Sequence, residues 1–193
     1  MKKVTFIIFL VLILDQSLKF WIKTNMMLGQ EYQLFDWFII HFTENKGMAF
    51  GLEFGGVIGK YFLSIFRIIA IIAIAIYLKK LVDIKTKNSI IFSISLILAG
   101  AIGNMIDSAF YGLIFSSSYG QVASFLQGGY AGFLQGHVVD MFFVPIFKGY
   151  IPEWVPFKGG DYFIFFRPVF NIADASISTG VINLLLFHRK FFN

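Results

Sequence analysis

Four stretches of this chain, residues 4–22, 57–78, 89–107 and 170–187, are almost wholly apolar and near the length of about 20 residues that a helix needs to cross a bilayer. In hydrocarbon every backbone N–H and C=O has to be satisfied within its own segment, so such stretches fold as helices. The sequence therefore predicts an all-α membrane protein with four transmembrane helices, one integral unit over residues 1–193. The first stretch follows Met1-Lys2-Lys3 as in a signal peptide. It carries Asp15 and Lys19 and lacks a small-residue cleavage site, so it reads as a retained helix. Composition agrees, with 14% charged residues against roughly 25% in a soluble domain. The net charge of +5 comes with no broad basic patch, which argues against a nucleic-acid partner. The absence of cysteine excludes a disulfide framework, a Cys-based zinc site and a thiol nucleophile.

Charge sets the expected orientation. Segments 1–3, 79–88 and 188–193 hold eight basic residues in 19 positions, whereas 23–60 and 108–169 hold six in 100. The positive-inside rule then puts both termini and the 79–88 loop in the cytoplasm and the two long connections outside. Residues 31–44 are rich in β-branched and aromatic side chains and read as extended structure. Their aromatics, with Trp154, Phe157, Tyr162 and Phe163 of the second connection, suit an outer membrane–water interface.

With that orientation the polar residues of the spans gather at one depth. Asp15 and Lys19 lie in the outer half of the first helix, Asn104 and Asp107 close the third, Asn171 and Asp174 open the fourth, and Asp140 lies in the outer connection. Charges inside a span are costly and mark functional sites by default. Asp15 and Lys19 are i, i+4 and able to pair. Asn104/Asp107 and Asn171/Asp174 are i, i+3, which predicts each amide beside its carboxylate. Asp140 and Asp174 are the chemically suggestive pair: two carboxyl groups close together share a proton, so one can activate water while the other protonates a leaving group.

Plainer readings stand beside these. Asp15–Lys19 also reads as a buried ion pair that fixes helix packing, Asn45-Lys46-Gly47 as a turn, and Asn104 and Asn171 as interhelical hydrogen-bonding amides. His41, His137 and His188 are scattered, so neither a metal nor another cofactor is expected. Arg67 sits mid-span, within reach of the acids or snorkelling; Lys60, at the edge of its span, is expected to snorkel.

Five blocks, taken in order, resemble one family, the type II (lipoprotein) signal peptidases of bacteria. They are Asp15-Gln16-Ser17-Leu18-Lys19, Asn45-Lys46-Gly47-Met48-Ala49-Phe50, Gly103-Asn104-Met105-Ile106-Asp107, Val138-Val139-Asp140 and Phe170-Asn171-Ile172-Ala173-Asp174. The resemblance implies a single membrane peptidase domain: an aspartic endopeptidase that cuts diacylglyceryl-modified prolipoproteins before the lipidated cysteine. It implies catalytic roles for Asp140 and Asp174, and a substrate site lined by Asp15, Lys19, Asn45, Gly47, Asn104, Asp107, Asn171 and Ala173. It also implies a small extracytoplasmic β-cradle from the 30–56 region, an enlarged outer loop, the bacterial cytoplasmic membrane as the location, membrane lipids as neighbours and inhibition by globomycin-type compounds. Two departures stand out. Ser108 occupies the position where the family usually has Arg after the aspartate, with Arg67 or Arg167 as substitutes, and the stretches 108–137 and 141–169 are longer than in typical members. The rival class is a proton-coupled transporter, whose acids would be spread across the bilayer depth.

Overall fold

The computed structural model describes residues 1–45 and 56–188. Helix α1 (Lys2–Asn25) is followed by strands β1 (Glu31–Phe35) and β2 (Phe38–Asn45). Helices α2 (Gly56–Asp83) and α3 (Asn88–Ile106) form an antiparallel pair, and α3 runs on through a π-helical turn (Asp107–Tyr111) into the short α4 (Gly112–Ile114). Strands β3 (Val138–Phe143), β4 (Phe147–Tyr150), β5 (Tyr162–Phe165) and β6 (Val169–Phe170) precede α5 (Ile172–Phe187).

Among the described residues, three helical stretches are long and apolar enough to cross a membrane: Lys2–Asn25, Ile58–Asp83 and Asn88–Ile114, with mean hydropathies of 1.8, 2.3 and 2.0. Their outward side chains are large and apolar, among them Phe6, Phe9, Phe62, Phe66 and Ile76. This is the surface expected of helices that face lipid, since water would not tolerate so continuous a patch. The fourth expected span is shorter than the sequence implied. Helix α5 has 16 residues, or about 24 Å of rise, because residues 169–170 are taken into the sheet and the helix is capped at Asn171.

A small antiparallel sheet accompanies the helices, and it is not built from the 30–56 region alone. Strands β1, β2, β3 and β6 form a four-stranded antiparallel sheet in that order, and β4 and β5 a separate hairpin. The extended reading of residues 31–44 stands, but half of the sheet comes from the second connection. Strand pairing is non-local, and a six-residue strand such as Val138–Phe143 carries no sequence signal of its partners. The sheet sits where α1 and α3 end and α5 begins. There Ile22, Met26, Phe42, Tyr111, Phe115, Val139 and Met141 form one apolar core. A second core, with Val4, Leu78, Leu81, Ile90, Ile94 and Leu184, closes the opposite end of the bundle.

Helix α3 is central, packed by α1, α2 and α5. Two glycines let α3 and α5 touch: a Cβ on Gly100 would collide with the Ala173 carbonyl, and one on Gly180 would lie 2.5 Å from the Ser93 carbonyl oxygen. Small residues at such crossings permit close backbone approach, which carries much of helix association in lipid. Gly100→Val is expected to force α5 away from α3 and to lower the melting temperature in detergent by about 5 °C or more, as overpacking costs 1–3 kcal/mol. An unchanged melt would show that this contact bears no load.

Candidate functional site: a polar layer where three helix ends meet the sheet

Between the two apolar cores lies a layer of polar side chains, each anchored by a recognisable local feature. Asp15 and Lys19 are one turn apart on α1 and pair at 2.9 Å. Lys19 also reaches Asp107 at 2.8 Å and donates to Asn104 Oδ1 at 2.9 Å. All three charged side chains are shut away from solvent, with relative exposures of 1% or less. A buried ammonium is tolerated only when every proton finds an acceptor, and Lys19 has three.

The two carboxylates held by Lys19 each turn their remaining capacity to a backbone amide. Asp15 Oδ1 accepts from Ala173 N at 2.9 Å, and Asp107 Oδ2 accepts from Val139 N at 3.1 Å. Ala173 and Val139 are the residues immediately before Asp174 and Asp140. One ion triad thus grips the chain next to both aspartates that the sequence singled out. Gln16 closes the triad by donating to Asp15, Asp107 and the Gly103 carbonyl, and Tyr111 donates to Gln16 Oε1. Sequence reasoning passed over Gln16 and Tyr111. The signal for Gln16 was its place inside the first motif block, and Tyr111 gave none, because only the π-helical turn swings it inward.

Asp140 and Asp174 come together around Asn171. Strand β3 alternates faces, so Val139 and Met141 enter the core while Asp140 points the other way. Asn171 Nδ2 donates to Asp140 Oδ1 at 2.7 Å, and to the Val139 carbonyl at 3.2 Å. Asn171 is also the N-cap of α5: its Oδ1 accepts from Asp174 N at 2.8 Å while its own N–H donates to Asp174 Oδ2 at 3.3 Å, a complete capping box. A single residue therefore holds both carboxyl groups. On the far side Asn104 Nδ2 donates to Asp174 Oδ1 at 2.7 Å. The i, i+3 expectation holds for Asn171/Asp174 and fails for Asn104, whose amide serves Asp174 on the neighbouring helix because Lys19 and Gln16 already occupy Asp107.

Burial, and after it the Asp174 carboxylate, pushes the Asp140 carboxyl up to about 7. The unfolded carboxyl titrates near 4. Between about pH 4 and 7 the folded chain holds a proton that the unfolded chain has lost, so this group lowers stability as pH rises and adds nothing further above 7. The melting temperature is expected to fall across that window, and Asp140→Asn should flatten the slope. A slope unchanged in the variant would place the titrating group elsewhere.

Asp174 opens onto an apolar groove of about 480 Å³ walled by Phe166, Phe170, Ser178, Thr179 and Ile182. Arg67 Nη1 lies 3.4 Å from Ser108 Oγ, and Lys60, near the start of α2, donates to the Gln135 carbonyl at 2.5 Å. Asn45 ends β2 at an exposed position and pairs with Val138 in the sheet register. Gly47 lies outside the described residues.

A second buried cluster went unread in the sequence. Lys23 Nζ binds Glu44 Oε1 at 2.6 Å and Ser118 Oγ at 2.7 Å, and lies over the rings of Phe42, Phe115 and Tyr130. His137 Nδ1 meets Glu44 Oε2 at 2.9 Å. Burial opposes the Glu44 charge, but the His137 and Lys23 contacts outweigh it and leave this carboxyl below its ordinary value. The cluster fastens the 115–137 segment to α1 and to β2, beside the strand that carries Asp140. Of the other histidines, His41 pairs with Glu31 at 2.9 Å and His188 meets Ser89 at 2.9 Å.

These features define a helical protein of membrane-spanning character whose buried acids meet beside a small antiparallel sheet. Residues 7–190 match the family model described as Signal peptidase (SPase) II, and the chain belongs to that family. A lipoprotein signal peptidase of Porphyromonas gingivalis is 50% identical over 193 residues, covering 98% of this chain and 84% of the relative. A protein of the same name from Amoebophilus asiaticus is 39% identical over 184 residues, covering 93% and 75%. A solved bacterial membrane enzyme is similar at 28% identity with a TM-score of 0.61, covering 97% of this chain and 95% of that one.

Proposed function

We propose that this protein removes signal peptides from diacylglyceryl-modified prolipoproteins, cutting before the lipidated cysteine, with Asp140 and Asp174 as an aspartic dyad. The observation that carries the reading is the double grip of Asn171 on both carboxyl groups. That arrangement, in a chain of the signal peptidase II family, supports a reading in which the two acids share one water. Burial, and after it the neighbouring Asp174, raises the Asp140 carboxyl, so we give Asp140 the part of the acid and Asp174 that of the base. Asp174 then takes a proton from the attacking water while Asp140 donates to the scissile carbonyl; as the gem-diol intermediate collapses, the C–N bond breaks, the proton held by Asp174 passes to the leaving amine and a hydroxyl proton returns to Asp140. The pair titrates as a unit, so a pH–rate profile reports the dyad and not either residue.

The apolar groove at Asp174 suits the acyl chains and signal-peptide helix, which would enter laterally from the lipid. Asp15, Lys19 and Asp107 are occupied by one another, so the part we assign them is to hold the site in shape. Asn104, Asn171 and Ala173 border the dyad directly, and Asn45, at the exposed end of β2, is assigned to the substrate site with Gly47 from the motif alone. In this reading the chain is a single peptidase domain with four spans, α5 completing the set, and the small sheet forms the outer cradle. Both termini are cytoplasmic, in the bacterial inner membrane, with the site near the outer leaflet. Membrane lipids and globomycin-type inhibitors are its further ligands, and it uses no metal or cofactor. No observation favours the proton-coupled transporter. The test is cleavage of a lipidated prolipoprotein by the purified protein in vesicles, with and without globomycin. Failure to cut, or cutting that globomycin leaves untouched, overturns the reading.

A further inference from the structure

The β4–β5 hairpin is a sheet of its own, touching the four-stranded sheet where Lys148 Nζ lies 6.0 Å over the Phe143 ring. Its register pairs Phe147 with Phe165, Lys148 with Ile164, Gly149 with Phe163 and Tyr150 with Tyr162. Directly paired residues of an antiparallel ladder point to the same side and alternate along it. One face therefore carries Phe147, Phe163 and Phe165 around Gly149, and the other carries Lys148, Ile164, Tyr150 and Tyr162. The tip adds Trp154 at 82% exposure and Phe157, fully exposed. A lone two-stranded hairpin is marginally stable in water, and one with a bare phenylalanine face invites aggregation.

Chain continuity says what covers that face. Only six residues separate Phe165 from Ile172, the start of α5, a reach of no more than about 25 Å. The hairpin is thus tethered at the end of the apolar helices, where the hydrocarbon gives way to headgroups. The division of its residues matches that boundary: phenylalanine for the acyl side, tyrosine and lysine for the polar side. We propose that the β4–β5 hairpin is a second, monotopic membrane anchor, lying in the bilayer interface with its phenylalanine face on the lipid chains and its tyrosine–lysine face on the phospholipid headgroups. This goes beyond the peptidase reading; it rests on the membrane-spanning helices and not on the catalytic assignment. An anchored hairpin also fixes Phe166, one wall of the groove at Asp174, at the depth from which lipid enters.

The chain's tryptophans are Trp21, Trp37 and Trp154, and Trp21 and Trp37 are exposed enough to replace by phenylalanine. In the Trp21→Phe/Trp37→Phe protein, reconstituted into phosphatidylcholine–phosphatidylglycerol vesicles with brominated acyl chains, Trp154 emission is expected to fall about twofold or more, with little response to aqueous iodide. Adding Phe147→Ser, Phe163→Ser and Phe165→Ser should remove most of that quenching; should the triple variant not fold, the parent measurement decides alone. Quenching by iodide with no response to brominated lipid overturns the proposal and leaves the face open to a soluble partner. Prolipoprotein cleavage is scored separately: a protein that cuts nothing while lipid quenches Trp154 sinks the catalytic reading and leaves the anchor standing.

Discussion

Asp140→Asn and Asp174→Asn are each expected to lower prolipoprotein cleavage by about 10³-fold or more, since each removes one proton-transfer partner from the reaction. Asparagine keeps the size of the side chain and an oxygen to accept from Asn171 or Asn104, so both variants should fold, insert and melt within a few degrees of the parent. The double variant should be no worse than either single one, because two groups that act on one water fail as a unit. Mass spectrometry of a lipidated prolipoprotein before and after incubation gives the rate, and a thermal melt of the same preparation controls for folding. Turnover near the parental rate by either variant would remove that aspartate from the chemistry; turnover by both would remove the dyad.

The residues that matter most were legible because membrane insertion makes polar groups conspicuous. Asp15, Lys19, Asn104, Asp107, Asn171 and Asp174 each break an apolar stretch, and the spacing of Asp15 and Lys19 gave their 2.9 Å ion pair directly. What the sequence withheld is what depends on non-local pairing. Asn104 was read as the partner of Asp107, three residues on, yet its amide crosses to Asp174 on α5. Helix periodicity ranks neighbours on one helix and is silent about the next. Lys23, Glu44 and His137 were passed over for a related reason. They lie more than ninety positions apart at the extremes, and only the folding of the 115–137 segment under the sheet brings them within 2.9 Å. The expected span began two residues early because hydropathy does not distinguish Phe170 in a strand and Asn171 at a cap from the first turn of a helix. The capping box at Asn171 was present in the sequence as Asn-x-x-Asp; its second use, as the bridge between two acids, appears only once β3 is placed beside it.

The second large effect is expected at Lys19. Lys19→Met should cost about 3–5 kcal/mol, because it strands the Asp15 and Asp107 carboxylates in a layer that solvent does not reach. In a chain of this size that is a drop of roughly 10 °C in melting temperature. Adding Asp107→Asn should recover part of the loss by removing one stranded charge, a non-additivity expected of groups in direct contact. If Lys19→Met instead melts like the parent, the triad is not what holds the layer together. The same variant separates support from chemistry. Asp15 and Asp107 hold the backbone amides of Ala173 and Val139, one residue before each member of the proposed dyad, so loosening the triad moves both carboxyl groups at once. Misplacement of reacting groups by about 1 Å is enough to cost on the order of a hundredfold in rate. Assayed well below its melting temperature, Lys19→Met should therefore cut slowly while remaining folded, and the double variant with Asp107→Asn should regain stability without regaining rate, since Val139 then loses its charged anchor. Recovery of both together would mean that Lys19 supports the fold and leaves the position of the aspartates to Asn171 and Asn104.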